Sequence, residues 1–413
     1  VDALVKIALS APTNIHALAR FTHQRTEGIA PGLGSTATTP LITELLRRGH
    51  EVTVYTLSRG WPTEDFYDWG RLRIFVGPYR ERHIARNFFA PEIAYLTRTI
   101  RADRPAFVHA HWTYEFALGA LRSKIHTVTT IHDLPWNVLR YYRDPHRAVR
   151  LLMAYAVALE GTQFTAVSND AAAHFRRYFK PGSKIEVIYN GLPDRMFELQ
   201  DEPKSTCEDR CTFATILQGW SRRKNATAAL EAFGIVRSKV PEAKLFMFGL
   251  DYEKDGPAHC WARQRGLDAG VTFVGELTYP ELLQTLREQV DVIVHPSLDE
   301  SFSMAALEGM ALKKPVIAGR ATPGVREVLG FGKGGILVNL HRPKAIADAM
   351  IRLVQDQQYR RQVARDGFER ASSLYRLEEV VSQYEALYQR ILVSQRTSPI
   401  PHGETTLIAD SSQ

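Results

Sequence analysis

The sequence predicts an α/β protein built of two doubly wound domains that face each other across a cleft. Three observations carry this. At 413 residues the chain is too long for one ordinary core. Short β-branched and apolar runs alternate with longer helical patterns, as in a parallel sheet covered on both faces. Near the midpoint the alternation stops in a polar, proline-containing stretch and then starts again.

In chain order, the first half gives strands at Leu4–Leu9, Val52–Leu57, Phe107–Ala110, Thr127–Ile131, Phe164–Ser168 and Ile185–Tyr189, with a helix near Thr36–Arg48. Residues 1–191 are therefore expected to form the first domain. Residues 192–212, with Pro193 and the polar run Gln200 to Thr206, read as a linker. Strands at Phe213–Leu217, Lys244–Phe248, Val271–Val274, Val290–His295 and Pro315–Ala318 then define a second domain over 213–376. Helices are expected at Ala226–Val240, at Pro280–Glu288, from about Ser303, and at Pro343–Gln355. A last helix, 377–392, is expected to pack back on the first domain, and 393–413 reads as a disordered tail rich in Ser, Thr and Pro.

Apolar residues make up 45% of the chain and charged residues 23%, which excludes disordered and fibrous classes. The formal charge of +7 lies wholly in residues 1–200, with 25 Lys and Arg against 18 Asp and Glu, while the remainder carries 27 of each. Arg71, Arg73, Arg80, Arg82, Arg86, Arg98, Arg101 and Arg104 fall in one stretch. Such a half suits an anionic membrane surface or a phosphorylated acceptor. No basic-aromatic module of a nucleic-acid binder accompanies it, so no nucleic-acid partner is expected. Arg82, Arg86, Phe88, Phe89, Trp136, Tyr141 and Tyr142 would suit a lipid-linked phosphate. Cys207, Cys211 and Cys260 lack zinc-ligand spacing and fit a reducing compartment, and no apolar run is long enough to span a bilayer. A cytoplasmic protein, at most peripheral to the inner face of a membrane, is expected.

Ligands of open α/β sheets bind beyond the carboxyl ends of the strands. After Val290–His295 comes Asp299-Glu300-Ser301-Phe302-Ser303-Met304-Ala305-Ala306-Leu307-Glu308-Gly309, a loop opening a helix. The free N–H groups of Ser303, Met304 and Ala305 make an anion site suited to a diphosphate. Glu308, one to two turns into the helix, suits a ribose diol, and Glu300 lies where a sugar would hang. Taken alone, both glutamates also fit first-turn acids favoured by the helix dipole. After Phe213–Leu217, Arg222-Arg223-Lys224 can neutralise a diphosphate. After the first strand come Gly28, Gly32 and Gly34, and after later strands His109, His111 and Glu115, then His132-Asp133. No convincing Asp-x-Asp metal pair occurs, and Asp251-Tyr252-Glu253 is the nearest imitation. No metal site is expected.

The spacing of Glu300 and Glu308 resembles the E-x7-E motif of the retaining GT-B glycosyltransferases of the glycogen-synthase and mannosyltransferase type, with Ser303 in place of the usual glycine. Gly219 to Lys224 resembles the family's Gly-Arg…Lys station, with Trp220 where arginine is usual and Arg223, ahead of Arg222, left to supply the second cation. Gly32 and Gly34 followed by Arg48-Gly49-His50-Glu51-Val52 resemble its glycine loop, Thr130 to Asp133 its T-x-H-D context, Asn190-Gly191 its hinge entry and Gly319 to Glu327 its G-G-x-P-E loop. The resemblance implies two Rossmann-like domains and transfer of a hexose, with retention, from a nucleoside-diphosphate sugar to a hydroxyl acceptor such as a glycolipid or polysaccharide precursor. No further cofactor is required. Glu300, His132 and Lys224 are the implied catalytic residues. Arg223, Lys224, Glu308, Ser303, Met304, Ala305, Gly32 and Gly34 are implied for the donor, and His111 and Glu115 lie on the acceptor side. A sugar-nucleotide epimerase of the same architecture and an inactive nucleotide-sugar-binding subunit are the alternatives. A dinucleotide dehydrogenase is disfavoured, because no G-x-G-x-x-G follows the first strand.

Overall fold

The computed structural model describes residues 5–198 and 211–397. Most of the linker stretch, 199–210 with Cys207, and the tail 398–413 lie outside the described residues. The first sheet contains β1 (Lys6–Ser10), β2 (Glu51–Arg59), β3 (Asp65–Asp68), β4 (Leu72–Tyr79), β5 (Val108–His111), β6 (Thr127–Ile131), β7 (Gln163–Ala166) and β8 (Ile185–Val187). Their order is β3-β4-β2-β1-β5-β6-β7-β8, parallel except for the antiparallel β3–β4 pair. The second sheet contains β9 (Thr212–Ile216), β10 (Lys244–Phe248), β11 (Val271–Gly275), β12 (Val292–His295), β13 (Val316–Gly319) and β14 (Ile336–Val338), in the order β11-β10-β9-β12-β13-β14, all parallel. Central strands such as β5, β6, β12 and β13 are buried along their whole length, which is why they read as continuous apolar or Thr-rich runs without alternation.

Three strands escape the sequence reading. β3 (Asp-Phe-Tyr-Asp) alternates only weakly and sits on a charged edge. β4 runs through the arginine-rich stretch and contains Gly77 and Pro78, which read as a breaker. Gly77 is needed because a Cβ there would stand 2.3 Å from the ring of Tyr95 on the helix Ala90–Asp103. β14 has only three residues.

Three arginines of this stretch answer local acids. Arg73 pairs with Asp103 at 3.0 Å, Arg80 with Glu92 at 2.7 Å, and Arg98 with Glu64. Phe89 is fully buried, so it belongs to the core rather than to an exposed lipid-facing set, whereas Phe88 and Trp136 are exposed. No helix among the described residues is long and apolar enough to cross a membrane.

Each sheet reverses its winding once, between β1 and β5 in the first domain and between β9 and β12 in the second. Loops diverge at such points and leave a crevice at the carboxyl edge. The chain returns at its end: the helix Leu377–Thr397 extends beyond residue 392 into the expected tail and buries Val380, Val381, Tyr384, Leu387, Tyr388 and Ile391 in the core of the first domain. Glu385 accepts from Arg48 and His50, each at 2.7 Å, and Tyr388 Oη lies 2.7 Å from His109 Nδ1. At the crossover Leu192 N donates to Tyr375 O and Leu377 N to Leu192 O, both at 2.9 Å. Gly191 permits this crossing, since a Cβ on it would lie 2.8 Å from the Cα of Leu377.

Gly191→Ala is therefore expected to lower stability by about 1–3 kcal/mol, because backbone must move to admit the methyl group. Calorimetry would show a reduced Tm with faster proteolysis at residues 370–380, and an unchanged Tm would contradict the close crossing.

Candidate functional site

The switch point of the second sheet gathers the loop after β9 and the loop after β12. Lys224 Nζ donates to Glu300 Oε1 at 2.6 Å, and Ser297 Oγ donates to the same oxygen at 2.7 Å. Arg223 Nε donates to Asp299 Oδ2 at 3.1 Å and its Nη2 lies 3.7 Å from Glu300 Oε2. Burial pushes the Glu300 carboxyl upward, but Lys224, Arg223 and His295 together outweigh it and hold it down at about 2. Glu300 is thus a carboxylate at every physiological pH. Its neighbour Asp299 goes the other way, raised by burial despite Arg223. Burial keeps His295 neutral, down at about 4, and its Nε2 lies 3.3 Å from Ser303 Oγ.

The helix Met304–Ala311 begins here. Ser303 is its N-cap, and its hydroxyl accepts from Ala306 N at 3.2 Å. With φ −112° and ψ 104°, this position suits any residue, so serine in place of glycine costs no backbone strain. Glycines fall instead where contact demands them: a Cβ on Gly309 would lie 2.9 Å from Ile293, which keeps the helix tight on β12. Glu308, 4% exposed, accepts from Tyr279 Oη at 3.0 Å. Its burial raises the carboxyl to about 7, with the Tyr279 hydrogen bond opposing. Met304 and Ala305 form the first turn, half-buried. Trp220 packs on Tyr252 and Trp261 and its backbone N–H donates to Asp251 Oδ2 at 2.8 Å, so it takes no place among the cations; Arg223 does.

The first domain closes over this cluster. Asn137 donates to Asp299 at 2.7 Å, Ser168 Oγ to Ser301 O at 2.6 Å, and Ser301 Oγ to the carbonyl of His132. Glu327 receives the N–H of Asn169, at 2.9 Å, from the start of the helix Asn169–Tyr178, and Tyr189 Oη at 2.8 Å. The His132 ring stacks on Trp112 at 4.1 Å and its Nε2 lies 2.9 Å from His111 Nδ1. Burial lowers His132 to about 3, so this imidazole donates or accepts hydrogen bonds without carrying charge. His111, 2% exposed, stands behind it and orients it.

The other switch point, between β1 and β5, opens into a cavity of about 530 Å³ lined by Gly32, Arg59, Trp112, Tyr114, Glu115 and Arg150 among others. Arg150 Nη2 donates to Glu115 Oε1 at 3.3 Å, and the guanidinium lies 4.6 Å above the ring of Tyr114. Arg150 Nε and Glu115 Oε2 are buried and, among the described residues, have no hydrogen-bond partner. Gly32, with φ +80°, passes so close to Thr13 that a Cβ would meet its carbonyl. The glycine loop thus lines the Glu115 cavity through Gly32 and Leu33. Gly34, also with positive φ, wraps the same loop through its N–H to Thr13 O at 3.2 Å. Among the described residues no three His, Cys, Asp or Glu side chains are grouped to hold a metal ion.

Sequence reasoning did not find Asn137, Ser297, His295, Tyr279 or the latch role of Glu327. Ser297 and His295 sat in plain view at the end of β12. Tyr279 carried no signal, because 29 residues separate it from Glu308.

Residues 35–195 match the family model described as Glycosyltransferase Family 4, and residues 208–370 the model described as Glycosyl transferases group 1. The chain is 25% identical over 382 residues to N-acetyl-alpha-D-glucosaminyl L-malate synthase of Bacillus anthracis, covering 88% of this chain and 95% of the relative. Its fold is that of sucrose-phosphate synthase from Thermosynechococcus elongatus, with a TM-score of 0.73 at 19% identity over 94% of this chain and 99% of that one. Anabaena HepE in complex with UDP-glucose gives 0.65 at 17% identity, over 93% and 99%.

Glu308 supplies a pH test. A buried acid raised from 4.5 to about 7 costs stability progressively as pH rises through that interval, because the unfolded state loses its proton first. Glu308→Gln keeps an acceptor for Tyr279 and removes the charge. It should raise the Tm at pH 8, by the equivalent of about 3 kcal/mol at most, and leave it nearly unchanged at pH 4. An equal or lower Tm at pH 8 would contradict the raised carboxyl.

Proposed function

We propose, for a chain that belongs to the GT-B glycosyltransferases, that it moves a hexosyl group, with retention, from a nucleoside-diphosphate sugar to a hydroxyl of a small anionic acceptor. The observation that carries this reading is the meeting of Lys224, Arg223 and a helix N-terminus around the buried carboxylate of Glu300 at the second switch point. Two cations and the N–H groups of 303–305 can take up the charge of a departing diphosphate. Glu300, ionised throughout the physiological range, accepts from hydroxyls of the donor sugar. Glu308 accepts from the ribose. The HepE structure holding UDP-glucose supports a donor of this chemistry.

The cavity between β1 and β5 supports the acceptor assignment. Arg59 and Arg150 offer cations, Glu115 and Glu81 offer acceptors, and Trp112, Tyr79 and Tyr114 form its walls. Its volume suits a small molecule better than the glycolipid or polysaccharide precursor implied by the resemblance. The Bacillus anthracis relative, named for joining an N-acetylglucosaminyl group to L-malate, supports a small acidic acceptor. In the reaction the acceptor hydroxyl approaches C1 on the face that the diphosphate leaves. The C1–O bond to diphosphate breaks, the new C1–O bond forms, and the hydroxyl proton passes to the diphosphate oxygen. His132, uncharged, donates to a sugar hydroxyl and holds the ring in place.

Screening UDP-, GDP- and ADP-sugars for a rise in Tm identifies the donor, because only a bound ligand stabilises by mass action. With that donor, Lys224→Ala should lower kcat/KM by about 100-fold or more, and the product's anomeric configuration by NMR should match the donor's. An inverted product, or a covalent sugar trapped on Glu300, would contradict the mechanism. Donor isomerisation without acceptor would contradict transfer itself.

A further inference from the structure

A second cavity, of about 730 Å³, adjoins the second switch-point site through Arg222 and Leu298. Arg140, Tyr141 and Arg143 of the first domain line one side, and Arg222, Arg320 and His341 of the second domain line the other. Neither Lys224, Glu300 nor Glu308 belongs to its lining, and among the described residues no Asp or Glu does. Among the described residues none of its four guanidinium groups is in an ion pair, whereas Arg73, Arg80 and Arg150 of the first domain each face an acid. All four arginines are exposed. Arg143 is fixed at the end of the helix Pro135–Tyr142, in the left-handed region at φ 49°, where its Nε donates to Arg140 O at 3.3 Å. The helix Pro343–Gln355 begins two residues beyond His341 without a side-chain cap, and its positive end adds to the field.

Four like charges contributed by two domains to one cavity repel each other unless an anion sits between them. The fork of a guanidinium matches phosphoryl oxygens two at a time, which a carboxylate-free lining leaves available. The volume fits a molecule of nucleotide size or smaller. We propose that this cavity binds a small anion carrying two or more phosphoryl groups, and that the bound anion ties the domains together beside the donor site. The link to that site is covalent and short. Arg222 adjoins Arg223 and Lys224, Leu298 adjoins Asp299, and Asn137, which holds Asp299, lies on the same helix as Arg140 and Tyr141. Occupancy thus favours the arrangement in which Asn137, Asp299, Arg223 and Glu300 are already joined.

Titration calorimetry of the full chain with inorganic pyrophosphate at low ionic strength tests this. Two sites are expected in the unmodified protein, one at Lys224 and one in the arginine cavity. Arg143→Ala with Arg320→Ala should weaken the second site about tenfold or more while sparing the first, and Arg143→Lys with Arg320→Lys should recover part of the loss. Lys224→Ala should do the reverse. In the Lys224→Ala protein, pyrophosphate should still slow hydrogen exchange over 137–142 and 298–303. ATP in place of pyrophosphate separates the sources: tighter binding in the cavity assigns a nucleotide, and equal or weaker binding assigns the free anion. A single site that vanishes in Lys224→Ala and is untouched by the arginine substitutions would overturn the proposal, as would cavity binding without added exchange protection.

Discussion

The structure turns on one electrostatic constraint: a carboxylate, Glu300, buried at the point where the second sheet reverses its winding. Desolvation pushes its carboxyl upward. Lys224 at 2.6 Å and Arg223 at 3.7 Å keep it ionised, and both come from the loop after β9, the strand beside β12. Removing either cation would leave a buried charge without its full set of partners, which costs more than an exposed pair is ever worth. The pairing therefore fixes the two loops relative to each other and, through Asp299 and Ser301, relative to the first domain. A cluster that balances its own charges so tightly is also one that a diphosphate and a sugar can enter by exchanging partners, since the cations and the acceptor are already in place.

The second domain's loop from Pro296 to Ser303 is held from both sides. Its own domain supplies Lys224 and Arg223. The other supplies Asn137, Ser168 and the carbonyl of His132, while Glu327 caps the helix Asn169–Tyr178 across the interface. The two domains are thus joined at this loop by short hydrogen bonds. The C-terminal helix Leu377–Thr397 adds a covalent return to the first domain, where Tyr388 reaches His109 one layer behind His111 and His132.

Much of this was legible in the sequence because parallel strands buried on both faces must be continuously apolar, and because helix caps, glycines and charged turns cluster at their carboxyl ends. The strands β1, β2, β5 to β7 and β9 to β13 follow from that rule. β4 did not, since its Gly77 answers a tertiary demand from Tyr95 that no local pattern displays. Spacing singles out Glu300, Glu308, Lys224 and Arg223, but it does not display the pairing of Glu300 with Lys224 and Arg223. Ser303 and Trp220 looked like departures from the family pattern. Backbone angles make the first an ordinary N-cap, and aromatic packing removes the second from the charged cluster. In the arginine-rich stretch, partners such as Asp103 and Glu92 become visible only once β4 and the following helix are folded together.

The central claim is that Lys224, Arg223, Glu300, Glu308 and the helix Met304–Ala311 form the site of a nucleoside-diphosphate sugar. A crystal structure with the stabilising UDP-, GDP- or ADP-sugar bound tests it most directly. The account predicts the diphosphate within hydrogen-bond reach of Lys224 Nζ and the N–H groups of 303–305, the ribose hydroxyls on Glu308, and the sugar against Glu300. A donor lodged in the arginine cavity or the Glu115 cavity, with Lys224 still bonded only to Glu300, would contradict it.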